Sequence, residues 1–279
     1  MRPSPIAVAD SNIEFKYGSA YMNLVGIYST KDSVPDVSGG KDEMSGNRFA
    51  NSSMAATGVD AGLRSHMLRT YNLISLGLFA SAVSAYTIAE TSFRSLFFSP
   101  DGALTILGTI GMFAPLGILL FASFGAIGKT LTSVKTVYWA FTLLQGIGLS
   151  VLVMHHTGAQ VAQALAMAGF TFAATSLYGY TTRKNLSGMG SFMVIGLIGI
   201  MVAMIVNIFL GSPAVDFAIS VIGIIVFAGL TAYDTQNLKE SYSAAIGEEE
   251  LDRARYWSAL GLYLNILNLV HFFLNLTRE

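Results

Sequence analysis

The chain has 279 residues, of which 53% are hydrophobic and 12% are charged, and its mean hydropathy is +0.56. A soluble domain carries about a quarter charged residues, so this composition excludes an ordinary water-soluble protein and favours one whose outer surface lies in lipid. The net charge of −1 gives no reason to expect nucleic acid as a partner. Because the chain contains no cysteine, disulfides, a cysteine nucleophile and thiolate metal sites are excluded.

The first 63 residues differ from the rest of the chain. Segments such as 30–47 are rich in Gly, Ser, Asp and Lys and have too little apolar content to pack. The N-terminus also lacks the apolar core and cleavage site of a signal peptide. We therefore predict a mostly disordered cytoplasmic tail over residues 1–63, followed by a membrane domain over residues 64–279.

The membrane domain is divided by the positions of its charges. Asp, Glu, Lys and Arg are absent from 70–89, 102–128, 136–182, 185–215, 217–233 and 256–277. A bilayer-spanning helix needs about 20 mostly apolar residues, so most blocks hold one helix and 136–182 holds two. We predict an all-α polytopic membrane protein with seven transmembrane helices, at about 67–89, 103–125, 137–154, 159–180, 190–210, 216–238 and 256–276.

Small residues mark one face of the first predicted helix. Gly77, Ser81 and Ala85 recur every four residues, and small residues at this spacing let helix backbones approach closely in lipid. The second predicted helix contains Pro115, where we expect a kink. These features predict a tightly packed bundle and carry no chemistry of their own.

Basic residues concentrate before the first predicted helix and after the second, fourth and sixth, at Arg64, Arg69, Lys129, Lys135, Arg183, Lys184, Lys239, Arg253 and Arg255. By the positive-inside rule the N-terminus and these loops are cytoplasmic. A full seventh span would then place the C-terminus outside, whereas a re-entrant segment would leave it inside. The loop charges leave both arrangements open.

Asp234 is the first polar feature that could carry function. It lies about 27 Å along the sixth predicted helix from Asp216, near the cytoplasmic edge of the hydrocarbon. An ionisable residue at membrane depth is a functional candidate because burying it is costly. The alternative is an acid that reaches the interface or caps the end of the helix.

The last predicted helix is the most polar of the set. Its stripe of Asn265, Asn268 and Asn275, with His271 on its shoulder, falls on one side at 100° per residue. Amides cannot face lipid without partners, so the stripe faces the bundle interior, a water-filled path or both. The structural alternative is hydrogen bonding that only holds the helices together. We assign no metal site to His155, His156 or His271.

Two segments resemble signatures of the transmembrane Bax inhibitor motif family. Residues 227–236 (FAGLTAYDTQ) are similar to its sixth-helix motif and residues 259–269 (ALGLYLNILNL) to its last-helix motif. The Leu-Gly-Leu run of the first helix and residues 178–184 support the match, which covers about residues 64–279. The resemblance implies seven helices with the last one central, and a pH-sensitive calcium leak governed by two aspartates on the sixth and seventh helices.

Asp234 stands at the first of these aspartate positions, and Asn265 stands at the second. An asparagine offers a carbonyl oxygen to Ca²⁺ but cannot titrate. The resemblance therefore predicts an ion path or pH sensor at Asp234 and Asn265, supported by a polar set consisting of Asn268, His271, Asn275, Tyr233 and Gln236.

Two functions follow from these features. The first is a passive Ca²⁺ leak across the inner membrane, with H⁺ as a further ligand and a pH dependence weakened by Asn265. The second is an interaction protein without transport that modulates a membrane-anchored AAA protease, as some bacterial relatives do. We expect no enzymatic activity and no cofactor, because no His-Glu-x-x-His or Gly-x-Ser-x-Gly motif occurs.

Overall fold

The computed structural model describes residues 47–123, 127–243 and 247–277, and side chains from Ala61 onward within these ranges except at Ser123. Eight helices make up most of this part of the chain: α1 (Asn47–Glu90), α2 (Arg94–Phe97), α3 (Ile106–Ser123), α4 (Leu131–His155), α5 (Gly158–Thr181), α6 (Ser187–Leu210), α7 (Pro213–Glu240) and α8 (Glu248–Leu276). An isolated bridge between Phe98 and Leu104 is the one β-type pairing in the described residues. The predicted all-α fold is confirmed.

Six of these helices are long and apolar enough to cross a bilayer: α1 over Ala61–Glu90, and α4, α5, α6, α7 and α8 over their full lengths. The second predicted span corresponds to α3, whose shorter apolar stretch is Ile106–Ala122. Pro115 lies inside this helix. The described part of the chain thus has six full-length candidate spans and one shorter apolar helix, as expected for a polytopic membrane protein.

Both α1 and α8 begin earlier than hydropathy predicts. Helix α1 starts at Asn47, inside the predicted disordered tail, and α8 starts at Glu248 rather than near residue 256. An apolar run marks only the part of a helix that lies in lipid, and polar residues with adequate helix propensity extend it into water. Residues 1–46 of the predicted tail lie outside the described residues.

Local sequence signals set several helix ends. Thr130 and Thr157 each form a capping box, with Ser133 and Gln160 respectively, at the starts of α4 and α5. These caps satisfy backbone N–H groups that would otherwise lack partners. Gly211 caps the C-terminal end of α6, and its φ of 58° is left-handed and therefore suits glycine.

Helix α8 is the centre of the bundle, as predicted. It packs against α1, α4, α5 and α7. Half of its most apolar stretch is buried, compared with 6% for α6, which places α6 at the periphery. The side chains of Leu262, Tyr263 and Leu269 on α8 are fully buried.

The small-residue face of α1 is closely packed, as its spacing predicts, and the helix that it meets is α4. Ser81 Oγ donates to the Thr142 carbonyl oxygen at 2.6 Å and lies 2.5 Å from the Tyr263 hydroxyl of α8. Gly77 lies against Tyr138, so a Cβ there would overlap the tyrosine hydroxyl. Close backbone approach is therefore a property of this interface.

One end of the bundle, termed the basic end, brings together the connections that carry the basic residues. Arg253 of α8 donates to the Lys129 carbonyl oxygen at 2.9 Å, and Lys239 of α7 donates to the Tyr180 carbonyl oxygen at 2.9 Å. At the far end of α8, Gln160 of α5 donates to the Thr277 carbonyl oxygen at 3.0 Å. Helix α8 runs about 43 Å without interruption between these ends, which is long enough for a full span.

Candidate functional site

Asp234 of α7 and Asn265 of α8 meet near the basic end. Asn265 Nδ2 donates to Asp234 Oδ2 at 2.7 Å. The Asn265 side chain is 4% exposed, and Asp234 is partly buried. Gly261, one turn before Asn265, lies beside the same carboxylate oxygen, 3.8 Å from the position a Cβ would take. The two residues singled out in the sequence are therefore direct partners.

The pair can stay hydrogen-bonded in either protonation state of the acid. An ionised carboxylate only accepts, so it needs the Asn265 amide as donor. A protonated carboxyl can donate, and the carbonyl oxygen of Asn265 can accept once the amide turns over. Two ionised aspartates at this distance would instead repel each other. The arrangement thus lacks the charge repulsion that would separate a pair of carboxylates.

Gln236 and Tyr233 face away from this pair. Gln236 Oε1 accepts from the Leu186 backbone N–H at 2.8 Å, and its Nε2 donates to the Lys184 carbonyl oxygen at 2.9 Å. The Tyr233 ring packs against Gly190, where a Cβ would come within 2.6 Å of it. Both side chains join α7 to the start of α6 and to the connection before it.

The remaining members of the predicted polar stripe lie further along α8 than Asn265. Asn268 Nδ2 donates to the Leu264 carbonyl oxygen of its own helix at 2.8 Å. His271 lies at an exposed position, and Asn275 is half-buried further along α8. Of the three asparagines, only Asn265 has the rotation and height on α8 that bring it to the acid.

A chain of hydroxyls adjoins the pair and was not predicted. The Tyr71 hydroxyl is hydrogen-bonded to Ser176 Oγ, which lies 3.1 Å from Thr235 Oγ1. These residues belong to α1, α5 and α7, and Thr235 follows Asp234 directly. Single hydroxyls in apolar helices give little signal, so the sequence offers no means of pairing them.

A second unpredicted cluster, the Arg255 cluster, lies at the basic end. Arg255 is 4% exposed; its Nη1 contacts Glu248 Oε1 at 2.9 Å and also Asp252, and its Nε donates to His66 Nδ1 at 3.1 Å. Because a guanidinium only donates, Nδ1 of the fully buried His66 is the acceptor. Glu248 also contacts Arg69 of α1 at 2.5 Å, so the cluster ties α1 to α8.

The first turn of α8 contains Glu248, Glu249 and Glu250, which interact favourably with the positive end of the helix dipole. Glu248 and Asp252 lie seven and three residues before Arg255, on the same face of the helix. That spacing was the available signal for the ion pairs. The contact between Arg255 and His66 had no such signal in the sequence, since 189 positions separate the two residues.

Comparisons with known proteins agree with this architecture. The family model described as inhibitor of apoptosis-promoting Bax1 matches residues 63–279. This match begins one residue before the predicted membrane domain. An uncharacterised protein of Caulobacter vibrioides is 41% identical over 223 residues, 78% of this chain and 89% of the relative. An uncharacterised protein of Rickettsia prowazekii is 41% identical over 211 residues, 75% of this chain and 87% of the relative.

A relative with a descriptive name is the inner membrane protein YbhL of Escherichia coli K12. It is 34% identical over 219 residues, which are 78% of this chain and 92% of the relative. The matched region is therefore nearly the whole length of these relatives, whereas about a fifth of this chain lies outside the matched region.

Proposed function

Because the chain belongs to the Bax inhibitor family, we propose that it conducts a passive leak of Ca²⁺ across the membrane. In this proposal Asp234 and Asn265 form the narrowest point of the ion path. The E. coli relative supports an inner-membrane location. The basic end would face the cytoplasm. The proposal assigns no catalytic chemistry to the chain.

The observation that carries the proposal is the 2.7 Å hydrogen bond between Asn265 Nδ2 and Asp234 Oδ2 across the α7–α8 interface. Carboxylate and amide carbonyl oxygens are ligands that Ca²⁺ accepts. An acid held between two spanning helices near one end of the bundle has the position expected of a residue on an ion pathway. Separation of α7 from α8 at this point would expose both side chains to a permeant cation.

The native pair should confer only weak pH dependence on the leak. Asn265 can accept a hydrogen bond from protonated Asp234 and donate one to the ionised form, so the contact survives a change of pH. A second carboxylate at position 265 would change this, because two acids in contact titrate as a coupled unit and repel when both are ionised. Protonation would then favour the closed contact, and deprotonation would favour separation.

The test is Ca²⁺ flux into proteoliposomes for wild type, Asp234→Asn and Asn265→Asp, measured from pH 6 to pH 8. We expect Asp234→Asn to change the flux and Asn265→Asp to introduce a flux that rises with pH. Asp216→Asn, at the other end of α7, and Asn268→Asp, one turn along α8, are matched controls. If Asp234→Asn leaves the flux and its pH dependence unchanged, the site assignment is wrong.

The second candidate is an interaction protein without transport that modulates a membrane-anchored AAA protease. One observation favours it: the family match begins at residue 63, so an N-terminal segment of polar composition accompanies the shared domain. Such segments suit engagement by unfolding machinery. Deletion of residues 1–60 should abolish co-purification with the protease while leaving Ca²⁺ flux intact, and unchanged association would remove the segment from this function.

A further inference from the structure

A groove of about 810 Å³ lies between α1 and α5 at the basic end. Its walls include Met67 and Leu68 of α1 and Phe172 and Leu177 of α5. Leu68 and Leu177 are 51% and 64% exposed although both belong to candidate spans. The groove is therefore open sideways, towards the lipid that surrounds the spans, and its volume is in the range of small-molecule sites.

The floor of the groove offers no unmet hydrogen bond. Three lining residues carry hydroxyls, and Tyr180 is the one at the charged end. The hydroxyls of the other two, Tyr71 and Ser176, are bonded to each other, and Ser176 Oγ is also 3.1 Å from Thr235 Oγ1. A polar ligand that bound there would lose its hydrogen bonds to water and gain none from the floor of the groove. The floor consequently suits a hydrocarbon chain.

The end of the groove is positively charged. Arg64 lines it with an exposed side chain. Lys239 reaches Tyr180, another lining residue, with its Nζ 2.9 Å from the carbonyl oxygen and 5.4 Å from the ring centroid. Arg64 lines the groove and Lys239 contacts another of its lining residues, and a basic pocket between spanning helices is a setting in which lipid phosphates bind.

We propose that this groove binds an anionic phospholipid, with one acyl chain between α1 and α5 and the headgroup phosphate on Arg64, within the field of Lys239. From Arg64 to Tyr71 the groove descends about 10 Å along α1, so its length follows the direction of a lipid chain. The charged end and the apolar floor thus match the two halves of one molecule. This site shares no residue with the Asp234–Asn265 pair and does not depend on its function.

The charged end is tested by native mass spectrometry of the purified full chain with phosphatidylglycerol and phosphatidylcholine of identical acyl chains. We expect preferential binding of phosphatidylglycerol, weakened about fivefold for each cation removed in Arg64→Gln and Lys239→Gln. Arg183→Gln, which removes an exposed charge at the same end outside the groove, is the control. Equal binding of both lipids, or an equal loss in all three variants, would overturn the proposal.

The apolar part is tested by a matched pair on α5. Ala173 lines the groove, and its neighbour Ala174 is also exposed but does not line it. Ala173→Phe should fill the groove and displace phosphatidylglycerol, whereas Ala174→Phe should not. Retained binding in Ala173→Phe contradicts the site. A change of oligomeric state in that variant with lipid binding unchanged would show that another copy of the chain occupies the groove, which also overturns the proposal.

Discussion

Replacement of Gly179 by alanine tests whether close contact between α5 and α7 stabilises the bundle. A Cβ at Gly179 would lie 2.9 Å from the carbonyl carbon of Ala232 and 3.0 Å from its Cα, and closer still to its carbonyl oxygen. These are backbone atoms of a helix, which cannot turn aside as a flexible side chain can. The two helices must therefore separate to admit the methyl group, two residues from Asp234.

The magnitude follows from two opposing effects. Overpacking at a close contact costs about 1–3 kcal/mol, while alanine is favoured over glycine in a helix by about 1 kcal/mol. Gly169 on the same helix supplies the control, because a Cβ there meets nothing within 4 Å. Gly169→Ala shows the helix effect alone, so the difference between the variants, about 1–3 kcal/mol, isolates the steric cost.

The assay is equilibrium unfolding in mixed micelles, followed by the fluorescence of Trp139 and Trp257, the only two tryptophans in the sequence. Gly179→Ala should unfold at a lower fraction of denaturing detergent than wild type, and Gly169→Ala at the same or a higher fraction. Equal stability of the two alanine variants would refute the role of this helix contact. A flux change in Gly179→Ala would further connect the contact to the neighbouring acid.

Three further outcomes are expected. Gln236→Leu leaves the buried N–H of Leu186 without its acceptor and should lower the free energy of unfolding by about 1–3 kcal/mol, measured in the same micelles. Arg255→Met removes the donor to buried His66 and should cost about 1–3 kcal/mol; Arg253→Met, at a more exposed side chain, should cost less. Alkaline phosphatase fused after the last residue should be active in cells, because we expect a cytoplasmic N-terminus and α8 as the seventh span. An inactive fusion would contradict this topology.

Much of the fold is predictable from the sequence because hydropathy is a property of each segment by itself. Charge-free blocks predict spanning helices without knowledge of their neighbours, since the bilayer supplies the apolar surroundings. The helix ends were less predictable: α1 extends back to Asn47 and α8 to Glu248. Beyond the lipid, helix formation depends on propensity and capping rather than on apolar content.

The site was predictable only in part. Asp234 and Asn265 stand out because polar side chains in apolar helices need partners, and the motifs around them point to the same positions. Their partnership depends on the rotation of α7 against α8, which also directs Gln236 towards the α5–α6 connection and leaves Asn268 bonded to its own helix. Helical periodicity places residues on a face but does not say which neighbour that face meets.

The amino-acid sequence by itself determined that this protein is an all-α membrane protein, where its apolar helices lie and which acid is exceptional. The tertiary structure alone decided that α8 crosses from one end of the bundle to the other, and that Arg255 meets His66 across 189 residues. The physical reason is that burial in lipid is additive along the chain. A contact between two helices depends on their relative height and rotation, which arise only when all the helices pack together.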